Sequence, residues 1–167
     1  MTGRQRPAAV SNALRVQWAL VAIGTMSAVL AVVLRDDLLI SWIESNPAAQ
    51  AYYDQGGLEA LEQSSISIPA FVPVAVVSFI VYACLAWVIG AMFRAGHRWA
   101  RWSLLALAVA MLFAAYVVAQ ASPPTPFVVL GAVAVVLDLV LVWLVLQRDC
   151  GEWVRAAELA EEHQQPA

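Results

Sequence analysis

The chain has 167 residues, of which 62% are hydrophobic and 13% charged, and its mean hydropathy is +0.75. Soluble domains are about half apolar and about a quarter charged, so this surplus of apolar surface excludes an ordinary water-facing domain and points to an integral membrane protein. The net charge of −3 excludes little, but all nine basic side chains are arginines and they are spread unevenly.

Crossing a hydrocarbon core about 30 Å thick takes about 20 apolar residues. The first such stretch is 14–34, preceded by Arg4 and Arg6 and containing Arg15. It is longer than a signal-peptide core, and no small-residue cleavage site directly follows it; "AAQA" at 48–51 lies well beyond. It is therefore expected to be a retained helix.

The segment 35–69 carries one arginine, Arg35, against Asp36, Asp37, Glu44, Asp54, Glu59 and Glu62. "DLLISWIES" clusters its apolar residues around Trp42 and is expected to lie along the membrane surface. "SNPAAQAYYDQGG" predicts a short helix, with Asn46 capping, Pro47 opening and Gly56–Gly57 closing it, and "LEALEQ" one further turn. Tyr52 and Tyr53 are expected to pack that helix onto the membrane. A helical cap of this size is too short to hold a core of its own.

The second span is 70–93, with Pro73 either in its first turn or kinking it. The third is 102–120 and the fourth 127–147, the latter with Thr125 as cap and Pro126 in the first turn. The short third connection makes these two helices antiparallel neighbours. The tail 148–167 contains "GEWVRAAELAEEH", which reads as a short acidic helix anchored by Trp153; His163 falls in an end expected to be disordered. Cys84 and Cys150 should lie at different depths and remain unpaired, Cys150 as a free cytoplasmic thiol.

Orientation follows from the arginines. Arg4, Arg6 and Arg15 start the first helix, Arg94, Arg98 and Arg101 fill the loop between the second and third, and Arg148 and Arg155 follow the fourth. The positive-inside rule then places both termini and the 94–101 loop in the cytoplasm of a bacterial cell, and the acidic segment outside.

Asp138 is the one acid within a span. At the centre of a membrane helix it costs roughly 2.5–3.5 kcal/mol, so it should face the bundle or another protein. Three readings compete: a hydrogen-bonded link between helices, with Thr25, Ser78 and Tyr82 as partners at similar depth; pairing with a charge on another subunit; and a proton or cation relay. A relay usually needs further intramembrane polar groups and broken helices, which the sequence does not offer. In "FRAGHRWARW", Arg94, Arg98 and Arg101 set orientation, Gly96 makes the turn, and Trp99 and Trp102 join the interfacial belt. The same stretch reads as a basic pocket for anionic lipid head groups, with His97 adding a pH-dependent charge. Nucleic acid fits poorly, because the patch is short and pinned to the bilayer.

Small residues repeat at helical spacing in Ala106–Ala110–Ala114, Gly24–Ala28 and Ala86–Gly90, a pattern that lets membrane helices approach closely. No nucleophile–base arrangement, paired catalytic carboxylates or phosphate-binding glycine loop is present in the sequence, and no cofactor is expected.

With its arginine-bearing amino end, its acidic "AYYDQGGLEALEQ" and its "FRAGHRWARW", the chain resembles small four-helix integral membrane proteins of unknown function from high-GC actinobacteria. The resemblance implies fold and compartment and carries no catalytic residues.

The expected fold is thus an all-α polytopic membrane protein, four transmembrane helices in an antiparallel bundle with a short helical extracytoplasmic loop, embedded in the lipid bilayer of a bacterial plasma membrane. The leading functional expectation is a non-enzymatic accessory or scaffold subunit of a cell-envelope complex, bound to a membrane-protein partner or to a second copy of itself. The alternatives are a small transporter or proton- or ion-coupled protein using Asp138, and a lipid-acting membrane enzyme using Asp36, Asp37 and Asp54.

Overall fold

The structure is a computed structural model, and it describes residues 7–121 and 123–162. Arg4, Arg6 and His163 therefore lie outside the described residues. Seven helices follow in order: α1 (Ala8–Val33), α2 (Arg35–Ser45), α3 (Pro47–Glu62), α4 (Phe71–Ala95), α5 (Arg98–Gln120), α6 (Thr125–Leu146) and α7 (Arg148–Glu162), and there is no strand among the described residues. Helices α1, α4, α5 and α6 are each long and apolar enough to cross a membrane. The protein is an all-α, multi-pass membrane bundle.

The four spans form a ring in which α1 and α5 each pack against both α4 and α6. Gln17, near the start of α1, meets Ala86, near the end of α4. Arg101, at the start of α5, meets Val145, at the end of α6. Neighbours are therefore antiparallel, and the bundle runs up-down-up-down. One end gathers the start of α1, the α4–α5 turn and α7; we call it the arginine end. The other carries α2 and α3.

The bundle's tightest packing lies at the arginine end, where Val10, Ala13, Phe93, Ala100, Leu104, Val145 and Cys150 are fully buried. Elsewhere the spans expose valines, leucines and aromatics outward. Lipid tails are as apolar as leucine, so helices there associate through close packing rather than through expulsion of water. Two small-residue tracks serve that purpose. Gly24 lies against the Phe79 ring, where an added Cβ would come to 3.1 Å, and Gly90 lies against Leu14.

Several boundaries differ from the sequence reading. Helix α1 starts at Ala8, not near residue 14, because nothing in "AAVSNA" opposes a helix once Pro7 has set the chain direction. Helix α5 starts at Arg98, so Arg98 and Arg101 belong to its first turn and not to a loop. The cause is Gly96, whose left-handed φ of 96° ends α4 abruptly and lets the next helix begin two residues later. Thr125 is the first helical residue and makes no side-chain cap; the Pro124 carbonyl instead accepts from Phe127 and Val128. Pro73 sits in the first turn of α4, where its missing N–H costs nothing.

The cap follows the expected chemistry at Asn46, whose side chain accepts from the Ala48 and Ala49 amides. Gly56 and Gly57 break α3, Gly57 at a φ of 67°, and leave "LEALE" as a short second piece. Helix α2 continues from α1 past a single non-helical residue, Leu34, and packs against α3 and α4. The cap does own a small apolar cluster, contrary to expectation: Ile43, Ala49 and Leu61 are buried together with Leu39, Trp42, Ile66 and Ile68 beside them. Folding α3 back on α2 makes this possible even in so short a segment.

Candidate functional sites

Asp138 lies on the inward face of α6, in line with Leu141 and Val145, and is 4% exposed. It faces its own bundle, not lipid. Of the three partners considered, Tyr82 alone is turned inward, close enough to Asp138 to interact electrostatically across the ring. Thr25 is exposed and its hydroxyl donates to the Val21 carbonyl one turn back. Ser78 is exposed as well. The carboxyl has no hydrogen-bond partner among the described residues.

A second buried polar group, Gln17, was not singled out from the sequence. It is 3% exposed; its Nε2 donates to the Ala86 carbonyl at 3.4 Å and its Oε1 has no partner among the described residues. The signal was present, since "LRVQWAL" places an amide within an apolar span. Carrying no charge, it stands out less there than Asp138 does in α6.

The six head-group candidates separate. Arg101 is part of the framework: its Nε donates to the Val145 carbonyl at 2.9 Å and its Nη2 to Leu146 at 3.4 Å. These are among the terminal carbonyls of α6, where a cation suits the helix dipole. Arg98, Arg101 and Trp102 line a cleft of about 120 Å³ with Gly151 and Arg155 of α7. An added Cβ at Gly151 would come to 2.9 Å from the Arg101 Nη1, so the guanidinium would have to shift to make room for it. His97 folds back on its own helix end, its Nδ1 3.2 Å from the Met92 carbonyl; a carbonyl only accepts, so Nδ1 carries the proton. Arg94 lines a separate groove between α1 and α4. Trp99 points outward, as do Trp18, Trp87, Trp102 and Trp143, all in the half of the bundle nearest the arginine end. That is the arrangement of an aromatic belt at one membrane face.

Helix α7 closes this end. It packs on α1, α5 and α6, with Ala157 against Gly96 and the Trp153 indole alongside. Cys150 is fully buried and its thiol donates to the Leu144 carbonyl at 3.3 Å. Burial pushes that thiol up from its ordinary range, Arg101 pulls it down and Asp149 adds a smaller push upward. Cys84 is free and exposed.

At the opposite end the acids do not converge on a site. Asp36 pairs with its neighbour Arg35 at 3.6 Å, both well exposed. Asp37 is also exposed, and Asp54 shares a shallow cleft with Glu44 and Tyr53. No group of three potential metal ligands occurs among the described residues.

Fold and site together define a polytopic four-helix membrane protein with one enclosed acid and a basic, tryptophan-ringed end. In comparisons with known proteins, the chain matches no protein-family model, no curated protein and no solved structure.

Proposed function

We propose that this protein is a non-enzymatic accessory or scaffold subunit of a membrane complex in the bacterial cell envelope, seated in the plasma membrane with its arginine end in the cytoplasm. One observation carries the reading. Of the three small-residue tracks, Gly24–Ala28 and Ala86–Gly90 are used in packing within the bundle, whereas Ala106, Ala110 and Ala114 on α5 all face outward. A track of this kind admits a further helix at close range. Helix α5 is also the least embedded span, with 11% of its most apolar stretch buried. The resemblance to small actinobacterial membrane proteins is consistent with this compartment.

The test is affinity isolation of the tagged protein from native membranes in mild detergent, comparing wild type with Ala110→Phe. A stoichiometric partner, or a second copy, that is lost in Ala110→Phe supports the reading. A wild-type protein that is isolated alone overturns it.

The second reading, proton- or ion-coupled transport, draws on Asp138, a buried carboxyl with no hydrogen-bond partner among the described residues. Proteoliposomes in which wild type and Asp138→Asn give the same proton flux would remove it. A lipid-acting enzyme has less support, since Asp36, Asp37 and Asp54 share no cleft.

A further inference from the structure

A groove of about 350 Å³ lies between α1 and α4 near the arginine end. On the α4 side it is lined by the small residues Ala86, Gly90 and Ala91, and on the α1 side by Ser11, Leu14 and Gln17. Trp18 and Trp87 flank it, both exposed to the membrane. Ser11 and Arg94 stand toward the arginine end, and Gln17 lies about 9 Å deeper than Ser11 by helical rise.

The chemistry of this lining is one-sided. Arg94 makes no ion pair or hydrogen bond among the described residues, and neither α1 nor α4 contains a single acidic residue along its length. Gln17 contributes an acceptor, Oε1, that is buried and has no hydrogen-bond partner among the described residues. An unsatisfied buried polar atom costs about 1–3 kcal/mol, which a bound donor removes.

We infer that this groove is a binding site for an anionic single-chain phospholipid. The phosphate sits at Arg94 and the Ser11 hydroxyl. A free hydroxyl on the glycerol, just below the phosphate, donates to Gln17 Oε1. The acyl chain runs on between Trp18 and Trp87 toward the bilayer centre. The inference is independent of the scaffold reading, since it uses α1 and α4 and not the outward face of α5.

The test is native mass spectrometry of delipidated protein titrated with lysophosphatidylglycerol. Wild type should retain one tightly held lipid. Arg94→Gln should weaken retention by about fivefold, from the loss of one arginine near an anionic group, and Gln17→Leu should weaken it as well. Arg148→Gln, the same charge change elsewhere at this end, should leave it unaltered. Equal weakening by Arg148→Gln would reduce the effect to diffuse basic charge and overturn the site. So would unchanged retention in Arg94→Gln. Equal retention of the diacyl lipid, or displacement by glycerol phosphate alone, would overturn the assignment of a single-chain ligand. Arg94 is exposed, so its substitution leaves the fold intact and the outcome interpretable.

Discussion

A carboxyl placed near the middle of α6 would favour leaving the apolar core unless something there repaid it, yet Asp138 is enclosed on the inward face of α6, with Tyr82 packed against the same core. Replacing a buried ionisable group by an apolar one of similar volume is often neutral or stabilising. Asp138→Leu is therefore expected to raise the thermal unfolding midpoint in detergent, with Asp138→Asn within about 1 kcal/mol of wild type. A marked fall for Asp138→Leu would show that the carboxyl makes a bond the bundle depends on. Cys150 lends itself to a pH test. Its thiol ionises less readily folded than unfolded, because burial outweighs the attraction of Arg101. The unfolded thiol loses its proton near about pH 8.5. Below that the neutral thiol is common to both states and docking is at full strength. Above it the unfolded state gains from ionisation and the folded state does not, so docking weakens as pH rises. Maleimide labelling of Cys150 should accelerate above about pH 8.5 by more than thiol ionisation alone explains. A labelling rate that simply tracked a free thiol would contradict the burial.

At the scale of elements, the join between α7 and the α4–α5 turn rests on one residue. Gly96 has a φ of 96°, and an added Cβ would come to 2.5 Å from the Ala157 Cβ. Gly96→Ala combines a left-handed backbone penalty of about 1–2 kcal/mol with a direct collision, and should release α7. Trypsin cleavage after Arg155 should then quicken by roughly tenfold or more, as a 1.4 kcal/mol loss implies. Gly57→Ala provides the control: its φ is also positive, at 67°, but the space around it is open, so it should leave α7 protected. Equal protection of α7 in both variants would place its anchor elsewhere. Most of the elements could be read from the chain, because four apolar runs of membrane length admit few alternatives, and "SNP" opens α3 by a local rule. The helix starts were harder. Arg98 and Arg101 looked like loop because they are charged, whereas α5 tolerates them in a first turn set at the membrane face. The site was less legible still. A sequence shows that Thr25, Ser78 and Tyr82 share a depth with Asp138, but not which of them faces inward. That depends on the rotation of each helix, and spans apolar on every side carry no periodicity to fix it.

At the scale of the whole molecule, the bundle is tightly packed at its arginine end, sealed there by α7, and more open in its outward faces along the membrane. Arg101 binds the start of α5 to the end of α6, and α7 covers the same corner. Two small-residue tracks are spent on holding α1 to α4. The third, on α5, points into the bilayer beside Phe113 and Tyr116, both widely exposed. The most direct measurement is site-specific photocrosslinking in intact membranes, with a photoreactive residue in place of Phe113 on α5 or of Leu139 on α6. A docking face on α5 should give a discrete crosslinked protein species from position 113 and only lipid adducts from position 139. Lipid adducts alone from both positions would contradict a docking face on α5, and with it the scaffold role.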